Sequence, residues 1–461
     1  MLKVNLKFSF VNVRRKNGCV TTFLYNLHKS NVIQLALFIS SILLIFFIDR
    51  TDYIPYFYTI CLLLLIGRFV ANRKYKKLFF YYNCYFIIAV IFTIVFKNQF
   101  PLHLGTSGPG EYGGLDDARF FGQIVYEHVS YTVGGNFNDS PFAIFLRLIC
   151  LYEIKTPLNV VTLTVSFSAL LPIYYEKLSY CLFHDRRVSA LTSLLVFVCP
   201  FTMFFGCVLL RDIFTAMLVA AGLFYYYEKK YLPLLICGSL IAFVRLGTLT
   251  FLLVGLLVMN KEKWKVKYRS NLRFYLTLSI LIGVFYLFYG YVQTMSGGRL
   301  SDGFIRETGD FFANSTIGAI SKLPFPLNVI GGTIFFFFIP LLSFSVFKME
   351  YGIFHMSSLF QGFLTPIFMF FLWTPIFSAI ITQRRKYNKN LSTLILCIIC
   401  FCFLLGTISL QSRHKTVLFP MLCMLAAYGH YNSSPSVKTK GRLIAICLIF
   451  SQIALVARTF I

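Results

Sequence analysis

The chain alternates long apolar runs with short clusters of polar, mostly basic, residues. A run of about 20 apolar residues wound as an α-helix crosses the ~30 Å hydrocarbon core of a bilayer. Read by length, the pattern predicts spans near 31–48, 53–70, 79–96, 158–182, 188–206, 213–227, 272–292, 328–347, 355–382, 391–410, 416–430 and 443–458. The stretch 231–259 is apolar too. It is flanked by Lys229 and Lys230 on one side and by Lys261, Lys263, Lys265, Lys267, Arg269 and Arg273 on the other. Basic flanks favour the cytoplasmic side, and one straight helix cannot return to the side it left. The pattern therefore predicts a hairpin of two short arms with Arg245 near its far end. Pro141–Tyr152 is apolar but too short to span, which predicts an interfacial or re-entrant helix.

These elements predict an all-α integral membrane fold, a polytopic bundle of about 11–14 transmembrane helices with short interfacial or re-entrant helices and two external loops. Residues 1–30 carry Lys3, Lys7, Arg14, Arg15, Lys16 and Lys29 without an acid, so they read as a cytoplasmic basic arm and not as a cleavable signal. Residues 31–461 then form a single membrane domain. The loop at about 97–140 holds five acids (Glu111, Asp116, Asp117, Glu127, Asp139) against Lys97 and Arg119, a net charge of −3. In so basic a chain that loop belongs outside. The second external loop, about 293–327, ends in Pro324-Phe-Pro326. Counting crossings leaves a parity conflict: either 355–382 is another hairpin, or the 293–327 loop is on the other side.

Composition strengthens the membrane reading. Of 461 residues, 57% are hydrophobic and 13% charged, where a soluble domain carries about 25% charged residues. The net charge of +26 invites nucleic acid as a partner. The basic residues, however, come in short clusters between apolar runs, the arrangement the positive-inside rule requires, and nucleic acid is excluded. The thirteen cysteines lie mostly inside apolar runs. Cys397, Cys400 and Cys402 lack the histidine or acidic partners of a four-ligand zinc site, so they read as small buried hydrophobes, with no metal.

Gly108-Pro-Gly-Glu-Tyr-Gly113 matches G-x-G-x-x-G but lacks the preceding strand a dinucleotide site needs. The constellation that carries chemistry is positional. Arg211, Arg245 and Arg413, the last beside His414 and Lys415, fall in short external turns next to apolar runs. External turns of such a protein should be poor in arginine. Three guanidinium groups on one aqueous side suit a phosphate or diphosphate, which they bind bidentately. In the acidic loop, Glu111 and the pair Asp116–Asp117 precede the amphipathic run Ala118–Glu127. Helix capping is one reading of the aspartates. The other is that a carboxylate, Asp117 or Asp116, acts as general base for a substrate hydroxyl or holds a divalent cation. No cofactor beyond that cation is implied.

The order of these features resembles bacterial polysaccharide-assembly membrane enzymes. It runs from an acidic pair in an external loop, through Leu210-Arg211-Asp212 after the helix with Pro200, to the basic turn Arg413-His-Lys415 before the helix with Pro420. Two groups compete. Glycosyltransferases of the GT-C type place a carboxylate in the first external loop and use polyprenyl-phosphate sugars. Wzy-type O-antigen and capsule polymerases use external arginines on polyprenyl-diphosphate glycans. Arg211 and Gly222 match the R-x10-G spacing of some of the latter, whereas Arg245 and Arg413 do not. The resemblance implies glycosyl transfer from an undecaprenyl-type phosphate or diphosphate donor in cell-envelope glycan assembly, at the external face of the cytoplasmic membrane. A chain-length regulator or a flippase is the implied protein partner. The alternative is a transporter or flippase for a lipid-linked glycan, or a non-catalytic membrane protein.

Overall fold

Apolar run after apolar run winds into helix, because a chain segment without side-chain hydrogen-bond partners must satisfy its own backbone. The computed structural model describes residues 28–48, 53–70, 75–99, 132–133, 136–137, 141–151, 157–208, 211–260, 327–338, 342, 358–408 and 412–458. Among them the helices are α1 (Asn31–Ile48), α2 (Tyr53–Val70), α3 (Tyr75–Gln99), α4 (Pro141–Ile149), α5 (Pro157–Phe183), α6 (Arg186–Val198), α7 (Pro200–Gly206), α8 (Arg211–Tyr227), α9 (Tyr231–Met259), α10 (Leu327–Phe338), α11 (Thr365–Arg385), α12 (Lys389–Ile408), α13 (Phe419–Asn432) and α14 (Pro435–Arg458). A π-helical segment, Ser358–Leu364, leads into α11, and a 3-10 turn, Ser412–Val417, leads into α13. The all-α reading holds apart from one small ribbon inside the expected acidic loop. There β1 (Thr132–Val133) pairs antiparallel with β2 (Asn136–Phe137), Thr132 facing Phe137. The sequence between them is Gly134-Gly135, a pair favoured in two-residue hairpin loops.

Among the described residues two helices, Leu158–Phe183 and Leu359–Arg385, are long and apolar enough to cross a membrane. The pair α6 and α7, bent by 58°, makes a third if read as one span. The expected single span at 188–206 is thus broken. Pro200 opens α7 without a backbone N–H to continue α6, and Cys199 between them is extended. The region 355–382 is different: Leu359–Arg385 is one continuous helix, which removes the second-hairpin answer to the parity conflict. The loop at 293–327 lies outside the described residues apart from Leu327.

α5 is the central helix, packed by α2, α3, α6 and α8 and buried from Leu158 to Glu176. Its hydroxyls satisfy themselves on the preceding turn, as from Thr162 to the Asn159 carbonyl at 2.7 Å and from Ser166 to the Leu163 carbonyl at 2.6 Å. A helix can therefore carry serine and threonine on every face and still be buried. α5 hands over to α6 in a tight turn. His184 is left-handed (φ 52°) and Asp185 caps α6 by accepting from the Arg187 N–H at 2.8 Å. Partial desolvation opposes ionisation of Asp185, but the hydrogen bonds and charge of Arg187 hold its carboxyl below the usual range.

The segment 231–259 is a helical hairpin, as its same-side flanking charges require. A Cβ on Gly238 would lie 3.9 Å from Leu252 Cδ2. In a straight helix those residues would be roughly 21 Å apart. A Cβ on Gly222 of α8 would touch both arms, Leu252 at 2.8 Å and Leu234 at 3.5 Å. At the other end Tyr226 donates to Asn260, which brings the two feet of the hairpin together beside the end of α8. Arg245 is the reversal point, extended (φ −161°, ψ 90°) between helical arms.

Candidate functional site

Helices α5, α6, α8, α11, α12 and α13 share one end. Cys181 reaches Glu228 at 3.8 Å, Arg187 lies 5.5 Å over the Tyr431 ring, Asn390 donates to the Leu182 carbonyl at 2.6 Å, and Thr382 and Ser433 are 2.8 Å apart. This end carries exposed Arg186, Arg187, Lys229, Lys230, Arg384, Arg385, Lys386 and Lys389. From it the helices rise to two different heights. At 1.5 Å per residue α5 rises roughly 40 Å and α12 roughly 30 Å. The arms of the hairpin, α6 and α13 rise only roughly 20 Å, and α8 roughly 25 Å. The short elements thus end short of the far ends of α5 and α12, and the tips of α8, the hairpin and the turn before α13 come together there.

That tip holds the unusual charges. Arg211 and Asp212 open α8. The Arg245 Nη1 atom, at the apex of the hairpin, donates to Asp212 Oδ1 at 2.5 Å. The 3-10 turn Ser412–Val417 packs on α8 and on α7, and carries Arg413, His414 and Lys415. The short helix α4 closes over the same tip, with Phe145 stacked on Phe214 at 4.7 Å and Phe142 at 6.0 Å. Its carboxyl end is held by Tyr58, whose hydroxyl donates to the Ile149 carbonyl at 2.6 Å.

Lys415 is fully buried in the connection between α12 and α13, outside both helices. Its ammonium donates to the Phe337 carbonyl at 3.4 Å and lies 4.9 Å from the Phe419 ring centroid. Burial pushes the amine down to about 7, opposed by the nearby Cys402 and Cys199 thiols. Below that value folded and unfolded chains both hold the proton, and the burial penalty acts in full. Between there and the ordinary lysine range only the unfolded chain holds it, so the folded state gains stability as pH rises. Thermal unfolding of the wild type should therefore rise relative to Lys415→Met between about pH 6 and 9. Parallel profiles would exclude Lys415 as the responsible group.

The structure thus brings Arg211, Arg245 and the turn bearing Arg413, His414 and Lys415 to one tip. The side chains of Arg413 and His414, and all of Glu111, Asp116 and Asp117, lie outside the described residues. Sequence reasoning missed Asp212, which it treated only as part of the turn. The available signal was Arg245 itself: a charge in the middle of an apolar stretch needs a counter-charge, and an acid stands beside Arg211. It also missed a second buried pair nearer the basic end, Lys77 Nζ to Glu176 Oε2 at 2.5 Å. Among the described residues of the tip, Arg211, Arg245 and the partly charged Lys415 stand against Asp212 alone, a balance suited to an anion.

No protein-family model matches the chain, and no curated protein or solved structure matches it either.

Proposed function

We propose that this chain is a polytopic protein of the cytoplasmic membrane, with its N-terminus inside, that binds a polyprenyl-phosphate or polyprenyl-diphosphate-linked glycan and transfers the sugar portion in cell-envelope glycan assembly. The observation that carries this reading is the meeting of Arg211, Arg245 and the Ser412–Val417 turn at one tip, opposite the exposed lysines and arginines of the basic end. With that end in the cytoplasm, the arginine tip faces outward. The span count of about 11–14 stays part of this proposal, because a helix that ends short of the far ends of α5 and α12 is too short to pass a length test yet still contributes to a bundle.

The chemistry fits the charge. A departing phosphate or diphosphate accumulates negative charge, which preorganised guanidinium groups in a partly dry site stabilise. Asp117 or Asp116 is the proposed base for the attacking hydroxyl, a role typically worth ~10²–10⁴ in rate. A second reading, a transporter or flippase for the same lipid-linked glycan, is favoured by one observation: the bend at Cys199–Pro200 and the reversal at Arg245 break helices part-way along, as binding sites of transporters do.

Arg211→Ala and Arg245→Lys should each abolish glycan assembly at unchanged protein level. Arg245→Lys keeps the charge opposite Asp212 but loses the planar fork, so it separates anion recognition from folding. Normal glycan from both variants sinks the reading. Purified protein that transfers sugar in detergent, where nothing can be transported, rules out the second reading.

A further inference from the structure

The Arg245–Asp212 pair has two unlike sides. Arg245 keeps 19% of its side chain exposed, while Asp212 keeps 1%. The carboxylate is therefore the closed side of the pair, and the arginine side chain the side that an incoming group meets. Neither partner is placed by chance of rotamer alone. Arg245 is the extended residue at the reversal of α9, and Asp212 lies in the first turn of α8, which packs along both arms of that hairpin. The planar fork of a guanidinium presents five N–H donors. Its Nη1 atom serves Asp212 at 2.5 Å, and an anion that reaches the exposed part of Arg245 would feel the arginine and the resident carboxylate at once.

We propose that Asp212 is a resident counter-anion. It neutralises Arg245 while the site holds no ligand, and it competes through space with any phosphate group that binds there. The inference rests on the anion-binding reading above and deepens it, by assigning how the affinity is regulated. A buried arginine without a counter-charge is costly, so a carboxylate at this position keeps the empty site folded. The same carboxylate weakens the grip on a bound anion, which suits a site whose phosphate-bearing product has to leave.

The test uses the full chain in lipid nanodiscs with inorganic diphosphate as the probe, read by titration calorimetry. Asp212→Asn removes the competing charge and keeps a side chain of the same shape. It should bind diphosphate tighter than the wild type by on the order of tenfold. Asp212→Glu should bind like the wild type, and Asp212→Asn with Arg245→Gln should bind more weakly than the wild type. If Asp212→Asn binds no tighter than the wild type, the proposal is overturned and Asp212 merely positions Arg245. If neither binds, the anion-binding reading fails and the counter-anion falls with it. Should Asp212→Asn not accumulate, acetate or phosphate supplied during extraction must restore it, since either replaces the missing charge. No restoration overturns the proposal.

Discussion

Glu176→Ala should destabilise the protein by about 3–5 kcal/mol. Glu176 lies on α5 and Lys77 near the start of α3, with 9% and 5% of their side chains exposed. The ammonium also stands 5.6 Å from the centroid of the Tyr81 ring. Tyr81 in turn meets Ser193 of α6 at 3.0 Å and stacks on Phe197 at 4.3 Å. The pair therefore sits where three helices join. Removing the carboxylate strips a buried ammonium of its Glu176 partner, which is why the loss exceeds the net worth of the pair. Removing both charges is a different matter. Lys77→Met with Glu176→Leu deletes the desolvation penalty together with the attraction, and should recover most of the loss. Thermal unfolding in nanodiscs of the single and double variants checks this. A double variant no better than Glu176→Ala would refute the account.

Gly429→Val should cost about 3 kcal/mol or more, at the upper end of overpacking effects. A Cβ at Gly429 of α13 would stand 1.9 Å from the Pro375 carbonyl oxygen and 3.0 Å from the Ala379 nitrogen of α11. Those are backbone atoms of a helix, so no rotamer change relieves the clash, and the helices must separate. The consequence extends to the site. α13 begins at Phe419, directly after the turn that carries Lys415, so displacing α13 displaces that turn. Unfolding temperature and diphosphate binding should fall together in this variant. A Gly429→Val protein with wild-type stability would show that α11 and α13 do not cross as closely as they do here.

The hairpin at 231–259 was legible because its cause is local to the chain. Two basic flanks and an apolar length are read directly from the residues, and they leave a straight helix no consistent orientation. The break at Cys199–Pro200 was less legible. Proline is tolerated in the first turn of a helix and disruptive in its interior, and the apolar run at 188–206 did not reveal which applied. The convergence of arginines was half legible. Their placement in turns at one end follows from the alternation of charges, whereas the engagement of Arg245 by Asp212 does not.

By itself the sequence determined that the chain is helical, where its apolar runs begin and end, and that 231–259 reverses on itself. These are properties of composition, length and flanking charge, which act over a turn or a span. Only the tertiary structure decided which charges meet. Arg245 and Asp212 are 33 residues apart, and Lys77 and Glu176 are 99 apart. It also decided that Lys415 is buried beside Phe337 and Phe419. A charge in a low-dielectric interior is governed by what packs against it through space, and no spacing along the chain carries that information.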